Sequence, residues 1–353
     1  MDKLKTIIQR YFDSEKDKKI ESLSCLIEDI QNEFETNNEL IEYIHQNSQC
    51  DNKQIINIIR KECKNYKRVE EAYSSGDLSN AINILKQILF PENEKCPMET
   101  IELNKTSQIF FRARIHEEYE IYPRKEMFHV PLDRKNIISN QRYSINGFPC
   151  LYLGASLYDC WEELRRADLE KLNFVGYRYV KARPLRFLLI DYRVKFDSAD
   201  TWIKRIILFL LCTWIVSDDR KKFKFEYVIP ELILHALISY NNQQTNMLEK
   251  YDGIAYISSR FFKPNCMYKN NHNKMMNYVI PIKSSSANKT KYCDTLIDMF
   301  ELSEVNAMFN NTTRGKSYGM NISRPTAYEF SIFRQLEREI EKSQYQKIKN
   351  SNI

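Results

Sequence analysis

The chain has 353 residues, of which 43% are hydrophobic and 28% charged, and this composition argues against a disordered or fibrous protein. Its formal net charge of +6 is modest, but it is unevenly distributed. Residues 1–90 hold 13 of the 53 Lys and Arg residues and 16 of the 47 Asp and Glu residues. The rest of the chain therefore holds 40 basic and 31 acidic residues. The basic C-terminal part suits an anionic ligand or a nucleic acid, and charge alone does not choose between them.

The nine cysteines are an odd number without paired spacing, and no Cys/His cluster has the spacing of zinc ligands. The N-terminus is too charged for a secretory signal. The longest apolar run, Ile206 to Val216, has 11 residues and is too short to span a bilayer. The sequence therefore predicts a cytoplasmic protein with no metal and no membrane partner.

Residues 1–90 contain no proline and one glycine, and their apolar residues recur at helical spacing. We predict a helical N-terminal domain over 1–90, which is followed by a linker over 91–104 that contains Pro91 and Pro97. The linker prediction depends on these two prolines and on the polar residues between them.

From 105 to 283, short runs rich in β-branched and aromatic residues alternate with helical patterns, which predicts an α+β domain. Residues 284–353 are predicted to form a C-terminal helical extension. The predicted strands are Ile109–Ile115, Leu151–Leu153, Leu185–Asp191, Gly253–Ile257 and Tyr278–Ile282, and the predicted helices are Ser156–Leu172, Thr201–Val216, Tyr227–Tyr240, Thr295–Phe300 and Ala327–Lys349.

Two arginines stand out on the first strand of this domain. Strand alternation places Arg112 and Arg114 on one face and Phe111 on the other. Two guanidinium groups on one face suit a diphosphate, because their planar forks match phosphate oxygens. A solvated face of an edge strand explains the same pattern.

A serine at a strand end and a pair of helical acids are the other candidates. Ser258 follows Gly253–Ile257, where it could hydrogen-bond a ribose or simply end the strand. Glu162 and Glu163 lie on a helix that begins near Ser156, and about 100° separates neighbouring helical residues, so only one can face the sheet. Acid pairs on helices are more often a solvated face.

The order of these features resembles the RES-domain family. The resemblance rests on Arg112, on the segment from Arg142 through the Gly147–Pro149 turn to Glu163, and on the segments 227–232, 251–258 and 277–281. It covers residues 105–283. The sequence departs from the family at Asn140-Gln141, where glycines usually stand, and in a longer segment over 115–140.

The resemblance implies an ADP-ribosyltransferase-like mixed sheet core and an enzyme that degrades NAD by hydrolysis or phosphorolysis of the nicotinamide–ribose bond. It implies a toxin or defence effector that uses NAD as substrate and needs no cofactor. It assigns Glu163 to the nicotinamide ribose, Arg112 to the diphosphate and Ser258 to the floor of the cleft. Further substrate-binding candidates are Arg142, Tyr122, Tyr143, Tyr152 and Arg114.

Two other functions stay open at this point. One is transfer of ADP-ribose to a macromolecule, and the other is a nucleic-acid-binding or protein-binding module without activity. The partners expected from the resemblance are NAD and a regulatory or antitoxin protein, with a homo-oligomer left open and no nucleic acid expected.

Overall fold

The structure of the chain is a computed structural model. It describes residues 2–14, 20–92, 96–105, 109–118, 120–138, 140–216, 221–262, 266, 272–282, 291–307 and 328–350. Within these ranges the chain forms ten α-helices and nine β-strands, so it belongs to the mixed α/β class.

The chain divides into two compact units. The first contains Met1–Thr100, Gln141–Ser144 and Leu188–Tyr251, and the second contains Ile101–Asn140, Ile145–Phe187 and Asp252–Ile353. The predicted helical segment 1–90 thus lies in a unit that also includes later helices. The predicted segment 105–283 is divided between the two units.

The first unit is built from helices. Five of them precede residue 90 and two come from the middle of the chain: α1 (Asp2–Ser14), α2 (Leu23–Thr36), α3 (Asn38–Asn47), α4 (Asn52–Ser74), α5 (Leu78–Leu89), α7 (Ala199–Thr213) and α8 (Val228–Gln243).

Local sequence explains where the helices of the first unit begin. Asp51 starts α4 with a capping box, in which its side chain accepts from the Gln54 backbone while the Gln54 side chain accepts from the Asp51 backbone. Ser198 caps α7 in the usual way by accepting from the backbone of Thr201. The apolar run of α7 is buried on all sides, because α4 and α8 both pack against this helix.

The strands form one open sheet in the order β1-β5-β6-β7-β3-β2-β4-β8, with β9 also paired to β4. Within the part of this order that runs β6-β7-β3-β2-β4-β8, each strand is antiparallel to its neighbours. The strands are β1 (Thr100–Leu103), β2 (Ile109–Ile115), β3 (Cys150–Gly154), β4 (Leu172–Tyr179), β5 (Leu185–Ile190), β6 (Gly253–Ile257), β7 (Met276–Pro281), β8 (Phe300–Leu302) and β9 (Asn306–Ala307).

Three further helices belong to the second unit: α6 (Leu157–Glu163), α9 (Asp294–Met299) and α10 (Ile332–Lys342). Both α6 and α10 lie over the same face of the sheet. A Cβ atom on Gly154 would meet α6, and one on Gly176 would meet Ile340 of α10. Phe111 pairs with both glycines, so all three residues share this face.

Two elements differ from the sequence predictions. The helix predicted over Ser156–Leu172 ends at Glu163, and the eight residues from Leu172 form β4, which was not predicted. The extension 284–353 contains β8 and β9 as well as helices, so the purely helical prediction is wrong there. Strands of three and two residues are too short to show an alternation pattern.

The linker predicted over 91–104 contains β1, which joins the sheet next to β5. The predicted strands β2 and β6 have the expected bounds. The sheet is mostly antiparallel and open, and its likeness to ADP-ribosyltransferases stays a prediction.

Gly253 is required by the close approach of β6 to β7. A Cβ atom at this position would lie 2.0 Å from the backbone oxygen of Val279. We expect Gly253→Ala to lower the free energy of unfolding by about 3 kcal/mol, because a backbone atom cannot move aside. Gly147→Ala is the control: its Cβ meets open space, and only its φ of +71° is unfavourable, at about 1 kcal/mol. Urea unfolding of both variants measures the difference, and equal losses would contradict this account of Gly253.

Candidate active site at the ends of two strands

The helix α6 is held close to the end of β3. Ser156 caps it, with its Oγ atom accepting from the Asp159 N–H at 3.0 Å and donating to the Lys274 carbonyl at 2.5 Å. A Cβ atom on Gly154 would lie 2.8 Å from Cys160 Sγ. The glycine therefore lets the helix pack directly on the strand.

The end of α6 is strained. Arg165 and Arg166 both have positive φ, 59° and 56°, in a region that residues with side chains adopt at a cost of about 1–2 kcal/mol each. The cost is met by hydrogen bonds from the Arg165 and Arg166 backbones to the carbonyls of Glu162 and Trp161, both 2.9 Å long. Backbone strain of this kind clusters at functional sites, and here it begins two residues after Glu163.

The two neighbouring acids of α6 have different surroundings. Glu162 is buried, where it pairs with Arg166 at 2.6 Å and accepts a hydrogen bond from Tyr158. Glu163 is exposed and points instead toward the ends of β6 and β7. Only one acid of the pair therefore reaches the sheet, as the helical geometry predicts.

Glu163, Ser258 and Asn277 form the centre of the candidate site. The Oε1 atom of Glu163 accepts from the Ser258 hydroxyl at 2.5 Å and from the Asn277 side-chain amide at 3.0 Å. Ser258 and Asn277 are buried, and the backbone N–H of Arg260 donates to Ser258 Oγ at 3.2 Å. The result is an exposed carboxylate that neutral donors orient. Within the described ranges no cation forms an ion pair with Glu163.

Asp159 lies one helical turn before Glu163 and is fully buried. Neither of its carboxyl oxygens has a hydrogen-bond partner among the described residues. Burial, together with the charges of Glu163 and Glu162, raises the pKa of Asp159 well above its ordinary value, while the nearby Asn277 amide acts in the opposite direction. Burial and the two neighbouring acids therefore favour the protonated, neutral form of this carboxyl group one helical turn from Glu163.

Aromatic residues share the face of the sheet that carries the site. Asn277 pairs with Gly154 on one side and with Tyr256 on the other. Directly paired residues point to the same face, so Tyr256 lies beside Asn277, and Tyr152 follows from the alternation along β3. Tyr256 is buried and Tyr152 half-buried.

Phe111 of β2 is paired with Gly154 and therefore lies on the face of the sheet that carries the site. Arg112, the next residue, points to the opposite face. Its Nη1 atom donates to the Tyr152 carbonyl at 3.0 Å, and its Nε atom has no partner in the part of the chain that the structure describes. Burial lowers the pKa of its guanidinium. Across the described residues, Arg112 forms no hydrogen bond or ion pair with Glu163 or Ser258. The structure thus brings two of the three predicted catalytic residues into contact, and the role of Arg112 at the diphosphate stays a prediction.

Arg114 and Tyr122 form a separate contact. The Arg114 guanidinium lies 5.2 Å from the centre of the Tyr122 ring and donates to the backbone carbonyl of Glu126. The Tyr122 hydroxyl donates to the Ile115 carbonyl at 3.0 Å. These contacts join the segment after β2 back onto that strand, and nothing in them tests a role in binding.

Arg142 and Tyr143 belong to the first unit. Arg142 donates to the carbonyls of Cys212 and Trp214 at 2.7 and 2.8 Å, which satisfies backbone oxygens at the end of α7. Tyr143 is fully buried. These contacts give Arg142 a structural role at the helix end, and its role in substrate binding stays a prediction.

Sequence reasoning missed three residues of the site: Asp159, Tyr256 and Asn277. A polar residue at the start of an otherwise apolar strand marks Asn277, and the four-residue spacing from Glu163 marks Asp159. Alternation along β6 groups Tyr256 with Ser258, although no role followed from it. The described residues contain no group of acids, histidines and cysteines that could hold a metal ion, and none of their helices is long and apolar enough to cross a bilayer.

Fold and site together define a mixed α/β protein with a carboxylate site at the ends of two antiparallel strands. The chain is 31% identical over 212 residues to a protein of Bacillus subtilis (strain 168) that is named "Putative toxin YopC". The match covers 55% of this chain and 45% of that protein, so the chain spans less than half of the length of this relative. No family model and no solved structure matches the chain, and the resemblance to the RES family stays a prediction.

Proposed function

We propose that this chain is a toxin that cleaves the nicotinamide–ribose bond of NAD, with Glu163 as the residue that stabilises the reacting ribose. The observation that carries the proposal is the exposed Glu163 carboxylate, which accepts hydrogen bonds from the neutral groups of Ser258 and Asn277. A carboxylate that is oriented but not neutralised keeps its charge available for a cationic transition state.

The chemistry fits this arrangement. Loss of nicotinamide builds positive charge on the ribose, and a fixed carboxylate stabilises such an oxocarbenium ion. Tyr152 and Tyr256 lie on the same side of the sheet as Asn277, and aromatic rings beside such a site suit a nicotinamide or adenine ring. The similarity to a protein named as a toxin supports the same function, because NAD depletion harms a cell.

The test is incubation of the purified protein with NAD that is labelled in its adenylate part. Release of free nicotinamide with unlabelled protein supports NAD cleavage, and added phosphate separates phosphorolysis from hydrolysis through the product formed. Label on a macromolecule would favour transfer of ADP-ribose instead. If neither free nicotinamide nor labelled macromolecule is formed, the result favours a binding module without activity. The separate placement of Arg112 lends weight to this alternative.

Ser258 provides the next prediction. Ser258→Ala removes one of the two side-chain donors to Glu163, and a hydrogen bond to a charged group contributes about 1.5–3 kcal/mol. We expect kcat/KM for NAD cleavage to fall by about 10- to 100-fold, since the remaining Asn277 donor orients the carboxylate less well. Initial rates of nicotinamide release measure the effect. The control is Ser343→Ala, which removes a hydroxyl that donates to the Ile340 carbonyl at the end of α10, and an equal loss in both variants would contradict the assignment.

A further inference from the structure

The candidate site contains a second carboxyl group that the proposed chemistry does not use. Asp159 is fully buried, and neither of its oxygens has a hydrogen-bond partner among the residues that the structure describes. Leaving a buried polar group without a partner costs about 1–3 kcal/mol, and more if the group is charged. Such a group in a folded protein calls for a functional explanation.

The surrounding chain makes room for this acid at a specific place. A Cβ atom on Gly154 would lie 3.3 Å from Asp159 Oδ2, so the glycine leaves space for the carboxyl group. The four-residue spacing puts Asp159 and Glu163 on the same side of α6. The Asn277 amide, which donates to Glu163 at 3.0 Å, is close enough to Asp159 to influence its ionisation. One amide therefore lies near both carboxyl groups.

We propose that Asp159 is a positioning residue for Glu163: its buried carboxyl group lies beside the Asn277 side chain and keeps that amide where it donates to the Glu163 carboxylate. In its neutral form Asp159 also adds no further negative charge beside Glu163. This inference rests on the proposed function for its effect on rate, but not for its effect on stability.

The charges around Asp159 are consistent with a neutral acid. Its own helix contributes two acids and a buried thiol, while the elements that pack on α6 from this side of the sheet contribute one acid, one cation and a tyrosine. These groups are Glu162, Glu163 and Cys160 on α6, Glu337 on α10, Lys274 before β7 and Tyr152 on β3. Of the charged groups, Glu163 and Glu162 act directly on Asp159, and both favour its protonated form.

The kinetic test compares two substitutions of Asp159. We expect Asp159→Ala to lower kcat for NAD cleavage about 30-fold with KM nearly unchanged, because Glu163 is misplaced while the substrate contacts remain. Asp159→Asn keeps a neutral polar side chain of nearly the same shape beside Asn277, and we expect it to retain most of the wild-type kcat. Glu170→Gln, an exposed acid beyond the end of α6, is the control. A wild-type kcat in Asp159→Ala would overturn the inference.

The stability test does not depend on any activity. The folded-state pKa of Asp159 is raised above its unfolded value of about 3.9, so the folded protein binds this proton more tightly and loses stability as pH rises above that value. Asp159→Asn removes this loss. We expect its Tm to exceed that of the wild type by about 3 °C or more at pH 8, and by clearly less at pH 4.5.

The two tests separate the two ideas. If the wild type releases no nicotinamide, the proposed function fails, while the Tm difference between pH 4.5 and pH 8 still decides whether Asp159 is a neutral acid. Equal shifts of Tm at both pH values would overturn the inference whatever the activity. A pH-dependent Tm shift together with a wild-type kcat in Asp159→Ala would overturn the positioning role.

Discussion

We expect Glu163→Gln to lower the rate of NAD cleavage by about 100- to 1,000-fold while leaving the fold and the affinity for NAD nearly unchanged. The amide still accepts hydrogen bonds from Ser258 and Asn277 through its oxygen, so the side chain keeps its position. Only the negative charge is lost, and this charge is what stabilises the developing oxocarbenium ion. Single-turnover release of nicotinamide and equilibrium binding of NAD measure the two effects separately.

Glu162→Gln is the matched control for this experiment. It removes the neighbouring carboxylate, which pairs with Arg166 and accepts from Tyr158 rather than facing Ser258. We expect a small loss of stability and a rate per folded molecule within about threefold of the wild type, because the stabilising charge of Glu163 remains. A large loss of rate in Glu162→Gln, with little loss in Glu163→Gln, would show that Glu162 and not Glu163 stabilises the reacting ribose.

The second large effect concerns Glu337, which lies outside the segment that resembles the RES family. This buried residue of α10 accepts from the Leu157 backbone N–H at 2.9 Å and from the Tyr328 hydroxyl, and it pairs with Lys274 and Arg334 at 3.4 and 3.3 Å. We expect Glu337→Ala to lower the free energy of unfolding by about 3 kcal/mol, because all four partners lose their acceptor. Urea unfolding with a constant m-value measures the loss.

Glu329→Ala is the control for Glu337→Ala. Glu329 also pairs with Arg334, at 3.4 Å, and with Arg338 at 3.0 Å, but its side chain is exposed. Exposed ion pairs contribute at most about 1 kcal/mol, so the loss is expected to be small. A loss below about 1 kcal/mol in Glu337→Ala would mean that the contact between α10 and α6 does not hold the helix that carries Glu163.

The resemblance between the sequence and a known family placed Glu163 and Ser258 in one site, and the structure joins them by a hydrogen bond. No local pattern could have done so, because 95 residues separate them. The strand bounds of β2 and β6 were predictable, since runs of β-branched and aromatic residues end at clear turn residues. The choice between Glu162 and Glu163 needed only the 100° step of a helix and the position of the sheet.

Other features depended on tertiary contacts. The helix α6 ends early because Arg165 and Arg166 have left-handed backbone conformations. Hydrogen bonds to the preceding turn stabilise these conformations, and no residue propensity indicates them. The strands β8 and β9 exist because β4 offers them a free edge to pair with.

By itself, the sequence determined the helical character of the first 90 residues and the existence of the strands β2, β3, β5, β6 and β7, because periodicity and β-rich runs are local properties of the chain. Only the tertiary structure decided that Asn277 and Asp159 adjoin Glu163, and that Arg112 turns to the other face. The physical reason is that strand register and helix packing join residues distant in sequence, and the direction of a side chain follows from that pairing.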